Sequence, residues 1–192
     1  MINKKIKIKK IQKEFLLNSL FKSKNFYGSL LNKKQNIPFI YGCRHNFSII
    51  NLKITSFYIQ KILFLLKYCL KKKKNILIIG NSFDINFLLN KKNSFINKNK
   101  NIILYKEKWI KGLITNEKIF NFYKKKKIKL IFFLKTENKI HSLFTEFNHK
   151  NIPIISLVNT DFNINLVNYP IFTNTKNLKS LFFLLYLIRK IF

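Results

Sequence analysis

The chain has 192 residues, and its 38 lysines and arginines against 7 aspartates and glutamates give a formal net charge of +31 at pH 7. So large an excess of positive charge favours a polyanionic partner, either nucleic acid or an anionic membrane. Hydrophobic residues make up 47% of the chain and aromatic residues 16%, which excludes a disordered basic tail. The composition therefore predicts one folded domain with a basic surface.

Composition and cysteine usage bear on the compartment. Lysine, asparagine, isoleucine and phenylalanine dominate, as expected from AT-rich DNA, which accounts for part of the charge. This bias predicts a plastid, a mitochondrion or the cytoplasm of a reduced-genome bacterial endosymbiont. Cys43 and Cys69 lack CxxC partners, so neither a disulfide framework nor a zinc site is expected, and a reducing compartment fits. No signal-peptide core is evident, and the apolar run 180–188 is about half the ~18 residues that span a bilayer.

Hydrophobic periodicity predicts alternating helices and strands. Residues 1–24 are predicted as a basic N-terminal arm with a short helix, ahead of a single α/β domain over 25–192. Two short extended segments flank Gly42, and apolar residues then recur at three- and four-residue steps from Ile54 to Cys69, which predicts an amphipathic helix. Further strands are predicted at 75–79, 102–105, 128–134 and 154–158, and further helices at 82–89, 116–123, 139–149 and 176–191. Continuously apolar strands separated by helices indicate an open parallel sheet covered on both faces.

The sequence contains no recognisable catalytic set. Gly80 follows a predicted strand, where a doubly wound fold binds a nucleotide phosphate, but the dinucleotide fingerprint needs three glycines and no GK[ST] follows. A tight turn is the favoured interpretation. The histidines and acids are isolated, without HExxH or GxSxG motifs, and comprise His45, His141, His149, Asp84, Glu107, Glu117, Glu137, Glu146 and Asp161. We therefore predict neither an enzyme nor a metal or cofactor site.

The segment KWIKGLITN, residues 108–116, is a candidate for phosphate contact. Two lysines flank the single tryptophan, Trp109, and a Thr-Asn pair could cap the next helix. Such a loop can anchor Trp109 in the core, offer cations and backbone amides to phosphates, or do both. The lysine runs 71–74 and 124–127 are more often simply solvated, yet in so basic a chain they are plausible phosphate neighbours.

Four segments, in order, resemble the universal small-subunit ribosomal protein two family. PFIYG at 38–42, followed by Arg44 and IINL at 49–52, is similar to that family's PYIFG, RN and HIIDL elements. NILIIG at 75–80 is similar to its KILFVG strand, and KWIKGLITN is similar to its RWLGGxLTN signature. The segment 152–174 is similar to its GIPVVALVDTN and LVDYPIPGND elements.

The resemblance implies a flavodoxin-like three-layer α/β sandwich with a mostly parallel sheet of about five strands. It also implies a structural constituent of the small ribosomal subunit that supports translation. The implied partners are small-subunit rRNA and neighbouring small-subunit ribosomal proteins, with no membrane and no small-molecule substrate. The candidate rRNA-binding residues are Lys33, Lys34, Arg44, Lys108, Trp109, Lys111, Thr115, Asn116, Lys124, Lys125, Lys126 and Lys127.

The chain departs from the family pattern in three ways. FYGS at 26–29 stands where the family's HFGH would be expected. The family's long helical hairpin is missing, because the run 124–127 leads almost directly into the strand at Ile128. Three acids typical of the family are amides here, at Asn51, Asn159 and Asn168. An amide keeps the hydrogen-bond acceptor of the carboxylate, so the turns should survive while salt bridges are lost.

Two alternative functions remain open. A nucleotide- or phosphosugar-binding enzyme on the same fold would use the Gly80 junction and the Asp161 loop, and fold alone does not separate it from an RNA-binding protein. Membrane-surface binding by the last helix requires a polar face. The segment 181–188 lacks one, so burial is the better account of its apolarity.

Overall fold

The computed structural model describes residues 14–30, 34–80, 101–105, 127–135 and 141–191. The strands are β1 (Ile40–Arg44), β2 (Phe47–Ile50), β3 (Asn75–Ile79), β4 (Ile102–Tyr105), β5 (Ile128–Phe133), β6 (Ile154–Val158) and β7 (Tyr169–Phe172). The helices are α1 (Leu52–Lys71), α2 (His141–His149) and α3 (Leu178–Arg189), with short 3-10 helices at Lys34–Phe39 and Ile164–Leu166 and helical backbone over 14–22. The helices predicted at 82–89 and 116–123 lie outside the described residues.

Five strands form one parallel sheet in the order β4-β3-β5-β6-β7. Counted along the chain from β3, this order is 2-1-3-4-5, that of flavodoxin-like doubly wound folds. Every residue of β6, which lies between β5 and β7, is buried, as the continuous apolar pattern predicts for a strand covered on both faces. The α/β fold class and the strand number are therefore confirmed.

Successive strand residues point to opposite faces of the sheet, which divides the core in two. Ile76 and Ile78 pack into a first cluster with residues of α1 and α3. Leu77 and Ile79 pack into a second cluster, which contains Phe144 and Phe147 of α2. Helices thus cover both faces of the sheet, and the predicted three-layer sandwich is confirmed.

Helix α1 shows how local sequence sets the boundaries of an element. Asn51 caps its start, because its Oδ1 accepts hydrogen bonds from the backbone N–H groups of Lys53 and Ile54 at 3.1 and 3.4 Å. The helix ends at Lys71, and Lys73 beyond it has a φ of 52°, the left-handed conformation that commonly follows a helix. The predicted helix from Ile54 to Cys69 is confirmed, with two more residues at each end.

The three amides that replace family acids all act as backbone hydrogen-bond acceptors. Asn51 caps α1, Asn159 accepts from the N–H of Thr160 at 2.8 Å, and Asn168 accepts from the N–H of Ile154 at 2.9 Å. A carboxylate could accept the same bonds. The expectation that these turns survive the loss of charge is confirmed.

Helix α3 lies against the first face of the sheet. Its buried side carries Leu181, Leu184, Leu185 and Ile188, all in the first core cluster. Burial against the sheet therefore accounts for most of its apolar surface. None of the helices in the described ranges is long and apolar enough to cross a membrane.

Pro170 lies in β7, where proline is compatible with the position of the strand. Among the described strands, β7 is at the edge of the sheet and pairs only with β6, which leaves one of its sides outside that ladder. The segment 152–174 thus contributes two strands, β6 and β7, to the parallel sheet.

Candidate nucleic-acid interface

The parallel sheet has two chemically different edges. All five strands run in one direction, so one edge collects their amino ends and the other their carboxyl ends. A helix that packs on such a sheet between two parallel strands runs antiparallel to them, and its own carboxyl end lies at the amino edge. The basic residues of the described chain sort by these two edges.

The amino edge is rich in exposed lysines. Lysines occupy positions 71–74, directly before β3, and Asn75 of β3 pairs with Ile128 of β5. Lys127 therefore lies beside this run, and its φ of 43° marks a tight turn into β5. The exposed lysines at this edge are Lys71, Lys72, Lys73, Lys74, Lys127, Lys129, Lys150 and Lys190.

Helix geometry explains why cations collect there. α2 is followed by Lys150, and α3 ends at Arg189 and is followed by Lys190. Cations at the carboxyl end of a helix interact favourably with the helix dipole. Two of the lysines also contact aromatic rings, since the Lys74 ammonium lies 5.3 Å from the ring centre of Tyr68 and that of Lys190 lies 4.6 Å from Tyr186. Part of this positive surface is thus held in place.

Arg44 is exposed near the tip of the β1–β2 hairpin. His45 and Asn46 form the tip, with φ values of 48° and 64°. Positive φ at both positions is the geometry of a two-residue type I′ turn, whose twist matches that of the flanking strands. The hairpin thus presents Arg44 to solvent on a defined backbone.

A buried hydroxyl cluster, Ser29, Ser48 and Thr160, attaches this hairpin to the carboxyl edge of the sheet. Thr160 Oγ1 accepts from the backbone N–H of Ser29 at 2.8 Å, and lies 2.9 Å from Ser29 Oγ and 2.8 Å from Ser48 Oγ. A Cβ on Gly28 would overlap Ser48 Oγ and Thr160, so the close approach requires glycine there. Arg44 is therefore at the carboxyl edge.

A second buried polar cluster ties the segment after residues 14–22 to the end of β7. Asn25 Oδ1 accepts from the hydroxyls of Thr173 and Ser180 at 2.5 and 2.6 Å. Leu20, fully buried, belongs to the first core cluster. Through Asn25, Ser29 and Ser48, residues 20–30 and the β1–β2 hairpin thus pack near the carboxyl ends of β6 and β7.

The candidate residues from the sequence do not all meet. Arg44 lies at the carboxyl edge and Lys127 at the amino edge, separated by roughly 17 Å if five residues of strand rise about 3.3 Å each. Lys34 begins the 3-10 helix Lys34–Phe39, which leads into β1. The candidates that lie outside the described residues are Lys33, Lys108, Trp109, Lys111, Thr115, Asn116, Lys124, Lys125 and Lys126.

Sequence reasoning missed three exposed lysines of the amino edge, Lys129, Lys150 and Lys190. Each is a lone lysine and not part of a run, so composition gave no reason to select it. The signal that could have found them is topological. In an alternating α/β chain, cations at the ends of helices and the beginnings of strands converge on one edge.

Groups suited to catalysis are sparse among the residues that the structure describes. No group of three or more His, Cys, Asp or Glu side chains that could hold a metal ion occurs within the described ranges. Both cysteines are free thiols, Cys43 exposed and Cys69 buried. Burial raises the pKa of the Cys69 thiol, and the nearby charge of Lys74 opposes that rise. A raised pKa is the opposite of what a reactive thiolate needs.

Comparison with known proteins identifies the family. The family model described as "Ribosomal protein S2" matches residues 27–131 and 117–191, two pieces that overlap over residues 117–131. The chain is also 28% identical over 177 residues to a protein from Acanthamoeba castellanii called "Small ribosomal subunit protein uS2m". That match covers 91% of this chain and 56% of the relative, so the chain spans little more than half of the relative's length. Because the family model matches nearly the whole chain, from residue 27 to residue 191, the protein belongs to the ribosomal protein S2 family.

Proposed function

We propose that this protein is a structural component of the small ribosomal subunit that binds small-subunit rRNA through a basic surface and supports translation. The observation that carries the proposal is its membership of the ribosomal protein S2 family, in a chain with a net charge of +31. Neighbouring small-subunit ribosomal proteins are the other expected partners. The protein acts without catalysis, cofactor or small-molecule substrate.

The amino edge of the sheet is the surface best suited to rRNA phosphates. Its lysines project from a rigid α/β framework, and at least two of them lie against aromatic rings. Structured RNA is recognised largely through its shape and its phosphate groups, so a fixed array of cations can place the protein without reading base sequence. Lys124–Lys126, directly before Lys127 in sequence, would extend this surface, and residues 108–116 would make separate phosphate contacts.

Arg44 would make a separate contact. The hairpin that carries it lies at the opposite edge of the sheet, so a single flat duplex surface would not reach both Arg44 and Lys127. We expect two different rRNA segments, or one strongly curved segment, at the two edges. The basic N-terminal arm of residues 1–24, ahead of the domain over 25–192, would add further phosphate contacts.

The enzyme alternative has little support from the carboxyl edge. Thr160, at the end of β6, is fully buried and hydrogen-bonded to Ser29 and Ser48. Ser29 and Ser48 therefore occupy part of the position where doubly wound enzymes bind nucleotides. A ribosomal role in a plastid, a mitochondrion or a reduced-genome endosymbiont agrees with the AT-rich composition.

Salt dependence of rRNA binding tests the proposal. The logarithm of the affinity should fall linearly with the logarithm of salt concentration, with a slope of about −0.7 to −0.9 for each phosphate contacted. The double variant Lys127→Gln, Lys129→Gln should flatten the slope by about 1.4 to 1.8. A filter-binding titration with a fragment of small-subunit rRNA, between low and moderate salt, measures it.

The matched control is the pair Lys53→Gln and Lys61→Gln on the outer side of α1. It removes the same charge from exposed positions away from the amino edge. Its slope should stay within experimental error of the unchanged protein. Equal flattening by both pairs would mean that total charge, and not the amino edge, governs binding.

A further inference from the structure

A cleft of about 510 Å³ opens beside the hairpin, at the carboxyl edge of the sheet. Its size is within the range of small-ligand sites, about 300 to 1,000 Å³. Carboxyl edges are also where doubly wound sheets bind their ligands. The role proposed for the amino-edge lysines does not involve this cleft.

Two partly open aromatic rings line the cleft. Tyr27 and Phe47 are each 45% exposed. The ring centres of Tyr27 and Phe26 are 4.3 Å apart, and the backbone of Tyr27 forms a bridge with that of Ile49. These two contacts hold Tyr27 in place. A fixed aromatic ring with one open face is a platform for stacking a planar ligand.

A carboxylate lines the cleft next to these rings. Asp161 lies between Thr160 and Phe162, whose backbone carbonyls both accept hydrogen bonds from Asn36 Nδ2 at 2.8 Å. Asn36 is fully buried, so the backbone on both sides of Asp161 is fixed. Asp161 therefore offers two acceptor oxygens from a rigid position.

Donors are supplied by two other lining residues. Asn174 Oδ1 accepts from the backbone N–H groups of Lys176 and Asn177, both at 3.2 Å. Its Nδ2 amide is then the group that the side chain can offer to a ligand. Lys176 is exposed and supplies a cation.

A carboxylate, an amide donor and a lysine together complement guanine better than adenine or uracil. Guanine presents N1–H and N2–H side by side, which a carboxylate can accept together, and its O6 and N7 accept from an amide. Adenine places an acceptor beside its amino group, which a carboxylate repels. Uracil has a single N–H between two carbonyl oxygens. The lysine would meet the phosphate of the same or the next nucleotide.

We propose that this cleft binds an unstacked guanine base, held between Tyr27 and Phe47 and recognised by Asp161. The assignment of that base to RNA rests on the proposed ribosomal function, because a free guanine nucleotide has the same chemistry. Unstacked bases on aromatic side chains are the usual means of sequence-specific RNA recognition. The cleft would thus add base selectivity to a protein that otherwise binds by shape and charge.

Calorimetric titration of the full chain with GMP, AMP and UMP tests the recognition chemistry. The three monophosphates carry the same charge, so non-specific attraction to the basic protein cancels in the comparison. GMP should bind saturably and about tenfold more tightly than UMP or AMP. Asp161→Asn should weaken GMP binding about tenfold, because the new amide donor faces the N–H groups of guanine. Equal affinity for the three nucleotides, or an unchanged GMP affinity in Asp161→Asn, overturns the proposal.

Tyr27 provides a matched pair of variants. Tyr27→Phe keeps the ring and should leave the GMP affinity unchanged, while Tyr27→Leu should lower it about tenfold, consistent with the value of base stacking on an aromatic ring. Thermal unfolding of each variant checks that it is folded. If both variants bind GMP like the unchanged protein, stacking on Tyr27 is excluded and the proposal fails.

The source of the base is tested with the pentanucleotides UUGUU and UUUUU. Tighter binding of UUGUU than of both GMP and UUUUU supports RNA as the ligand, whereas equal affinity for UUGUU and GMP overturns the RNA assignment. The amino-edge lysine variants are measured in parallel. Loss of guanine selectivity with intact rRNA binding would refute this inference alone, and loss of rRNA binding with intact GMP binding would refute the proposed function alone.

Discussion

Substitution of Thr160 by valine tests how the hairpin is attached to the sheet. Valine has nearly the shape of threonine, but it replaces the buried Oγ1 by a methyl group. Three hydrogen-bonded contacts are lost, two to Ser29 and one to Ser48, at 2.8 to 2.9 Å. Loss of a buried hydrogen-bond partner of this kind costs about 1 to 3 kcal/mol.

The total should be smaller than the sum of three separate losses. Ser48 Oγ also donates to the Ser29 carbonyl at 3.0 Å, so part of the network remains. We expect Thr160→Val to lower the free energy of unfolding by about 2 to 4 kcal/mol. Thr160→Ser is the matched control, because it keeps the hydroxyl and removes only a methyl group, at a cost of about 0.5 to 1.5 kcal/mol.

Urea unfolding followed by circular dichroism measures both changes. The midpoint should fall further in Thr160→Val than in Thr160→Ser, with the slope of free energy against urea unchanged. The reasoning is refuted if Thr160→Val unfolds within about 0.5 kcal/mol of the unchanged protein, below the cost of one typical hydrogen bond. A larger loss in Thr160→Ser than in Thr160→Val would refute it equally.

Four further predictions concern an amide, a glycine and the two cysteines. Asn25→Ala removes the acceptor shared by two buried hydroxyls and should cost about 1.5 to 3 kcal/mol in the same unfolding assay, where a change under about 0.5 kcal/mol would contradict it. Gly80→Ala would place a Cβ 2.8 Å from the buried Leu134 Cδ1, so a loss of about 1 to 3 kcal/mol is expected, and an equal or higher midpoint would show that the neighbour moves freely. Iodoacetamide should modify the exposed Cys43 at least about tenfold faster than Cys69, as peptide mass mapping would show. Burial raises the pKa of the Cys69 thiol, so the neutral thiol stabilises the folded state at neutral pH. This contribution to the free energy of unfolding should decline as the pH rises beyond the ordinary thiol pKa of about 8.5. The Cys69→Ala variant should lack this decline.

Much of the sheet was predictable from the sequence because its strands carry their own signal. A continuously apolar run such as β3 or β6 is stable only where both faces are covered, and that requirement alone indicates a parallel sheet between helices. Helix α1 was equally clear, since its apolar residues recur at three- and four-residue steps from Ile54 to Cys69. These features depend on neighbours in sequence.

The attachment of the hairpin could not be predicted in the same way. Ser29 and Thr160 are 131 positions apart, and small polar residues in a sequence are typical of exposed loops. They are buried only because each meets the other after the sheet has formed. Sequence spacing likewise gave no indication that Arg44 and Lys127 lie at opposite edges, because the edge on which a residue lies depends on strand direction.

We propose that this member of the ribosomal protein S2 family is assembled into small ribosomal subunits. Sedimentation of a tagged copy from lysate through a sucrose gradient, with and without magnesium, tests it most directly. We predict that the tagged protein sediments with intact ribosomes in magnesium and with free small subunits once magnesium is removed. Recovery of the protein at the top of the gradient under both conditions would contradict the claim.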